Sequence, residues 1–207
     1  MAAGKYARAG ARLLEILGRE RCAIAGGMAV NAHGFVRATR DVDIMVAMSL
    51  AEAARRLRKS GVGVRRLTGD VLDGGFDCLK GVIGVGSGAD AVPFDILPAL
   101  VPFDPAHTIE LVVRGARLRV VDGDTLIRLK LRAGSIKDLY DVAILANLHV
   151  SWADRAIGLA AERGGDAAQR IADLIRDPRV RAQARELRRQ DAALKAFAKR
   201  RRRGVGR

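Results

Sequence analysis

Cysteines and aromatic residues are scarce in this chain of 207 residues, and their scarcity narrows the class of protein. The two cysteines, Cys22 and Cys78, lack the spacing of zinc ligands, which favours reduced thiols in a cytoplasmic protein over a disulfide framework. Aromatic residues make up 4% of the chain and apolar residues 49%, as is typical of a globule with an aliphatic core. No stretch approaches the roughly 18 apolar residues of a membrane helix, and the charged first 22 residues predict no signal peptide. We therefore expect a cytoplasmic protein that makes no membrane contact.

Acidic residues are also few, and the resulting positive charge is concentrated at one end of the chain. The sequence has 23 acidic residues against 37 lysines and arginines, a formal net charge of +14. Residues 176–207 alone hold 13 lysines and arginines against 3 acids, a net charge of +10. This segment is either a site for a polyanion such as RNA, whose phosphates it would attract, or a solvated helix end without a specific ligand.

Hydrophobic patterning predicts strands in the first part of the chain and helices in the second. Residues 4–19 have helical apolar spacing, and Ser49 with Glu52 forms a capping box that starts a helix reaching Lys59. Beyond residue 122 the pattern is helical, with a break at 133–135. Together these features indicate an α+β core followed by a small helical region. Strands are expected at 21–25, 41–47, 61–67, 76–82, 91–97, 109–113 and 117–121.

Three aspartates in apolar strands are the strongest chemical signal in the sequence. Asp41 and Asp43 alternate with apolar residues, so both carboxylates point to one face of their strand. Carboxylates this close repel each other unless a cation lies between them, and Mg²⁺ prefers such oxygen ligands together with substrate phosphates. Asp95 lies in another apolar strand, and if the two strands pair, three carboxylates would converge and bind two metal ions for phosphoryl or nucleotidyl transfer.

A glycine pair upstream adds to this signal. Gly26 and Gly27 precede a short helical stretch, where backbone N–H groups can receive phosphate and the missing side chains permit close approach. Taken separately, an Asp-x-Asp pair is more often a solvent-exposed strand edge, and a glycine pair more often a turn. Their combination, with the acids 15 residues after the glycines, favours a phosphate site beside a metal site.

The order of these residues resembles the polymerase-beta-like nucleotidyltransferase superfamily, and within it the AbiEii-type branch. The matching residues of the first block are Gly26, Gly27, Ala29, His33, Gly34, Arg37, Thr39, Asp41 and Asp43. A second block resembles the branch over residues 126–142 and includes Lys130, Lys137, Asp138 and Asp141. Ser135 and Ile136 stand where related chains often have an arginine.

The resemblance implies a role for each matching residue. Asp41, Asp43 and Asp95 would bind two Mg²⁺ ions, and Asp95 could also act as the general base. Lys130 would contact phosphate or stabilise developing charge, although pairing with Asp138 or Asp141 between packed helices is the structural alternative. The nucleotide-binding residues would be Gly26, Gly27, Arg37, Arg40, Lys137 and Asp138.

The resemblance also implies an architecture and a reaction. We expect a nucleotidyltransferase core with a mixed sheet flanked by helices over residues 1–122, a helical region closing the cleft over 123–176, and a basic helical tail over 177–207. The reaction would move an NMP from an NTP to an acceptor hydroxyl. The acceptor would be RNA, with tRNA as one candidate, in a toxin or defence context, and an antitoxin protein would be the partner. The alternatives are an antibiotic nucleotidyltransferase and a catalytically silent module that binds nucleotide or RNA.

Overall fold

The computed structural model describes residues 2–69, 77–85, 90–99, 103–149 and 151–204, without the side chains of residues 2, 3, 90, 194 and 196–204. These residues form two compact units, Met1–Gly134 and Ser135–Arg207. The first unit contains a seven-stranded sheet, and the second is helical. The α+β class predicted from the sequence is confirmed.

The sheet is mixed, with strand order β3-β4-β5-β2-β1-β7-β6. Strand β2 pairs in parallel with β5, and β1 in parallel with β7, whereas the other neighbouring pairs are antiparallel. Strand β4 was expected over 76–82 and is found over Cys78–Val85. It ends later than expected because Val85 still pairs with Asp90 of β5. Phe76, the expected first residue, lies outside the described residues. The strands are β1 (Cys22–Ile24), β2 (Val42–Val46), β3 (Val64–Leu67), β4 (Cys78–Val85), β5 (Asp90–Pro98), β6 (Thr108–Val113) and β7 (Ala116–Val121).

Helices cover parts of the sheet and complete the core of the first unit. Helices α1 (Ala2–Leu17) and α3 (Leu50–Lys59) pack on one face, where Phe94 and Ile96 are fully buried. Helix α2 (Gly26–Ala32) contacts β2 and β7, and α4 (Gly123–Ala133) packs against α2. Burying one large apolar side chain contributes roughly 1.5–3 kcal/mol, so this layer of helices is a main source of stability.

Local sequence signals begin and end these helices. Ser49 Oγ accepts a hydrogen bond from the Glu52 N–H at the start of α3, as the capping box predicts. Asp122 Oδ1 accepts one from the Thr125 N–H at the start of α4. Gly134 ends α4 in the left-handed conformation, with φ of 67°, and Gly18 with φ of 93° follows α1 and ends it before residue 19.

The second unit consists of α5 (Ile136–Leu148), α6 (Trp152–Ala161), α7 (Ala167–Arg176) and α8 (Pro178–Gly204). Tyr140 donates a hydrogen bond to Gln183 over 2.5 Å, which ties α5 to α8. The amide of Asn147 donates to the carbonyl oxygen of Ile175 over 2.9 Å, which ties α5 to the end of α7. In the part of the chain that the structure describes, no helix is long and apolar enough to span a membrane.

Candidate active site

Two of the three predicted acids lie in adjacent strands in the middle of the sheet, and the third lies just before one of these strands. The parallel pairing of β2 with β5 brings Asp43 level with Asp95, so both side chains point to the same face. Asp41 immediately precedes β2 and lies two residues before Asp43, on that same face. Asp41 and Asp95 both raise the pKa of Asp43 through their negative charge, which means that the three carboxylates interact. The structure therefore brings together the acids that the sequence singled out.

Burial on the opposite face of these strands fixes the direction of the acids. Val42, Ile44, Phe94 and Ile96 are fully buried. Because side chains alternate along a strand, packing these residues under the helices turns the acids to the other side. A slip of one residue in either strand would bury a carboxylate in the core, so the apolar pattern secures the site.

The glycine pair lies against the acids for a steric reason. Gly26 has a φ of 53°, and a Cβ at this position would lie 1.6 Å from Asp43 Oδ2. A Cβ on Gly27 would lie 2.7 Å from Thr39 Oγ1. The Gly27 N–H donates a hydrogen bond to the Asp43 carboxylate. The turn is thus glycine-rich because Asp43 and Thr39 fill the space that side chains would need.

The loop between the glycine pair and the acids is held by side-chain hydrogen bonds. Asn31 accepts a hydrogen bond from the Arg37 N–H and donates one to the Arg37 carbonyl oxygen, each over 2.9 Å. Thr39 Oγ1 lies 3.3 Å from Asp41 Oδ1 and 3.2 Å from the Asp41 carbonyl oxygen. The Arg37 guanidinium lies near Gly27, 3.6 Å from where a Cβ would be, whereas Arg40 is exposed to solvent.

Asp43 has a strongly perturbed acidity. The pKa of Asp43 is raised from 3.8 to about 6, first by burial and then by the negative charges of Asp41 and Asp95. Lys130 and the Gly27 N–H act against this rise. Lys130, on α4, is only 7% exposed, and it is therefore a buried cation that interacts with the acids. A bound cation would stabilise the ionised form of such a carboxylate and so lower its pKa again.

Lys80 is a member of this cluster that sequence reasoning missed. It lies on β4 opposite Asp95 of β5, and its Nζ donates a hydrogen bond to Asp95 Oδ2 over 2.5 Å. The hydrogen bond to Asp95 raises the pKa of Lys80. A single lysine between Leu79 and Gly81 matches no motif, and only the pairing of β4 with β5 reveals its position.

Lys137, Asp138 and Asp141 lie on α5 of the second unit. Lys137 is exposed, and Asp141 is almost fully buried. Ser135, one of the two residues that stand where related chains often have arginine, caps this helix: Ser135 Oγ accepts from the Asp138 N–H and donates to Asp138 Oδ2 over 2.6 Å. Asp138 therefore has a structural role in starting α5, and the part of Lys137 and Asp138 in nucleotide binding stays a prediction.

The chemistry of the acid cluster fits a hard divalent cation. Its donors are all carboxylate oxygens, and together they carry more negative charge than the adjoining Lys80 and Lys130 neutralise. Among the residues that the structure describes, however, no three His, Cys, Asp or Glu side chains already form a closed set of metal ligands. The carboxylate of Asp95 forms an ion pair with Lys80. The three aspartates are thus the residues that could hold Mg²⁺.

A comparison with protein families gives one match that covers nearly the whole chain. The profile of the nucleotidyl transferase AbiEii toxin family, a type IV toxin–antitoxin system, matches residues 11–205. No curated protein sequence matches the chain.

Several solved structures align with most of this chain. An antigenic nucleotidyltransferase-like protein from Paracoccidioides brasiliensis is 16% identical, with a TM-score of 0.53, over 88% of this chain and 92% of that one. JHP933 from Helicobacter pylori is 14% identical, with a TM-score of 0.45, over 93% of this chain and 97% of that one. ANT(2″)-Ia in complex with adenylyl-2″-tobramycin is 14% identical, with a TM-score of 0.37, over 79% of this chain and 92% of that one. The first of these comparisons supports the nucleotidyltransferase fold.

Proposed function

Because the chain belongs to the AbiEii nucleotidyltransferase toxin family, we propose that it transfers an NMP from an NTP to an acceptor hydroxyl with the help of Mg²⁺. The observation that carries the proposal is the register of β2 and β5, in which Asp43 and Asp95 lie side by side next to Asp41. A cluster of three carboxylates beside a glycine turn is suited to an enzyme that handles phosphates and divalent cations. By family and fold the chain is a nucleotidyltransferase.

In the proposed reaction, the acceptor oxygen attacks the α-phosphorus of the NTP. A new P–O bond forms to the acceptor, the bond from the α-phosphorus to the bridging oxygen breaks, and pyrophosphate leaves. Asp95 takes the proton of the attacking hydroxyl. When bound by Asp41, Asp43 and Asp95, two Mg²⁺ ions would supply charge neutralisation for the carboxylates and the phosphates. The protein's own contribution is positioning and electrostatic stabilisation.

The remaining residues of the proposed site bind the triphosphate. Gly26 and Gly27 would let the phosphates approach the backbone, and Arg37, near Gly27, would neutralise part of their charge. The buried position of Lys130 and its charge interaction with Asp43 support a role in stabilising the charge that develops during transfer. Arg40 from the loop belongs to the same proposed set. For Lys137 and Asp138 of α5, the proposed role in nucleotide binding rests on the family match alone.

RNA is the proposed acceptor, with tRNA as one candidate, and an antitoxin protein is the proposed partner. The basic segment over 176–207 supports an RNA acceptor because its net charge of +10 attracts phosphate. The type IV toxin–antitoxin assignment of the family supports an antitoxin. The free thiols of Cys22 and Cys78 support a cytoplasmic location.

Calorimetry and labelling test the proposal together. We expect the wild-type protein to bind an NTP in Mg²⁺ and to lose most of this binding in EDTA, and the Asp41→Ala/Asp43→Ala variant to bind alike in both. A Glu15→Ala/Glu110→Ala variant removes the same charge from exposed positions and should bind like wild type. Incubation with each α-labelled NTP, total RNA and total protein should label RNA. Equal binding by wild type and the double aspartate variant would rule out the proposed metal site.

A further inference from the structure

A row of charged side chains crosses four adjacent strands on the face that carries the acids. Arg65 of β3 lies opposite Lys80 of β4, Lys80 lies opposite Asp95 of β5, and Asp95 lies level with Asp43 of β2. Residues paired in register point to the same face of a sheet. The row therefore runs from two cations at the β3 side to two carboxylates at the centre.

An apolar floor lies next to this row on the same face. Val82 is 55% exposed, and it lies opposite Pro93, which is exposed as well. A Cβ on Gly63 would meet nothing within 4 Å. These residues line an open cavity of about 590 Å³ together with Arg65, Lys80, Asp41 and Asp95. We name this cavity the β3–β5 trough.

The trough and the glycine turn lie on opposite sides of the acids. Strand order puts β5 and β2 between β4 and β1, so the trough extends from Asp95 toward β3, while Gly26 follows β1. An in-line displacement needs the attacking and leaving oxygens on opposite sides of the phosphorus. If the triphosphate lies at the glycine turn, the attacking hydroxyl must arrive from the trough.

From this arrangement we infer that the β3–β5 trough binds the end of a single-stranded RNA acceptor, with a phosphate at Arg65 and Lys80 and a base on Val82 and Pro93. The inference rests on the proposed function. An exposed apolar surface gains free energy when a base covers it, and the two cations attract the adjoining phosphate. A polycationic aminoglycoside would meet like charges at Arg65 and Lys80. The proximity of Lys80 to Asp95 would put the bound nucleotide beside the proposed base.

Arg65 offers a test that leaves the acids untouched. Binding of a 5′-fluorescent single-stranded RNA dodecamer is measured by anisotropy over a series of KCl concentrations. For Arg65→Ala we expect about tenfold weaker binding near 100 mM KCl, since a charge-assisted hydrogen bond is lost. The slope of log Kd against log salt should also fall by about 0.7, which corresponds to one phosphate contact on single-stranded nucleic acid.

Arg66→Ala is the matched control, because Arg66 is the next residue on β3, points to the other face and pairs with Asp77. It removes the same charge and should change RNA binding less than twofold. Val82→Glu supplies a second probe, since a carboxylate on the floor of the trough should weaken RNA binding at least tenfold. Circular dichroism establishes that each variant is folded.

Mg²⁺-dependent NTP binding, measured on the same variants, separates this inference from the proposed function. If wild type binds no NTP in Mg²⁺, the proposed function fails. If NTP binding is intact but Arg65→Ala and Arg66→Ala bind the dodecamer equally well, the trough is not the RNA site and the proposed function stands. Labelling of a protein hydroxyl or an aminoglycoside that is unaffected by Arg65→Ala would likewise overturn the inference.

Discussion

Replacing Asp43 with asparagine should make the metal-free protein more stable near neutral pH. Asn has nearly the same shape as Asp and can still accept the hydrogen bond from the Gly27 N–H. It cannot ionise, however, and so avoids the burial of a charge next to Asp41 and Asp95. A residue that is essential to the proposed chemistry would thus be one that destabilises the fold.

The size of this effect follows from the pKa of Asp43. Its rise from 3.8 to about 6 spans roughly two pKa units, and each unit corresponds to about 1.36 kcal/mol. A raised pKa stabilises the folded state fully below pH 3.8, and this contribution is lost as pH rises through 6. Above pH 6 the ionised group therefore costs about 3 kcal/mol, which Asp43→Asn removes.

Thermal unfolding in EDTA across a pH series measures the effect. For a chain of this length, about 3 kcal/mol corresponds to roughly 6–12 °C in Tm, seen at about pH 7.5 and shrinking toward zero near pH 4. Adding MgCl2 should narrow the gap, since the ion stabilises wild type by binding its carboxylates. Glu15→Gln, at an exposed position, should shift Tm by less than about 2 °C. A gap that is absent or independent of pH would refute the reasoning.

Two further predictions concern the glycine turn and the buried thiol. Gly26→Ala should abolish Mg²⁺-dependent NTP binding in calorimetry and lower Tm, because its Cβ would collide with Asp43 at a φ of 53°, whereas Gly158→Ala, in open space on α6, should do neither. Cys22 should resist labelling by Ellman's reagent at about pH 8 until the protein unfolds, because its thiol is fully buried and burial raises its pKa to about 12. Rapid labelling of Cys22 in the native protein would contradict its burial.

Much of the local structure could be predicted because its signals lie within a few residues. The cap at Ser49 satisfies a helix N–H group three residues on, and such a pattern depends only on local geometry. The spacing of Asp41 and Asp43 indicated a shared face, since alternation is a property of any strand. The helix break at 133–135 was equally visible, because Gly134 favours the left-handed conformation that ends α4.

Long-range pairing was beyond the reach of such signals. The sequence indicated that Asp95 lies in a strand, but its alignment with Asp43 depends on which strands pair and in which register. Lys80 gave no signal at all, and its contact with Asp95 arises from the antiparallel pairing of β4 with β5. From the sequence, we interpreted the glycine pair as letting a phosphate approach the backbone. The structure adds a second reason, since the side chain of Asp43 occupies the space that a Cβ at Gly26 would need.

By itself, the amino-acid sequence determined the order and approximate location of the helices and strands, which residues alternate, and to which family the chain belongs. Only the tertiary structure decided that Asp43, Asp95, Lys80 and Arg65 form one row across the sheet. The physical reason is that periodicity reports the conformation of a single segment. The register between segments is selected by the burial of all their apolar faces at once, and a shift of one residue would send every charge in the row to the opposite side.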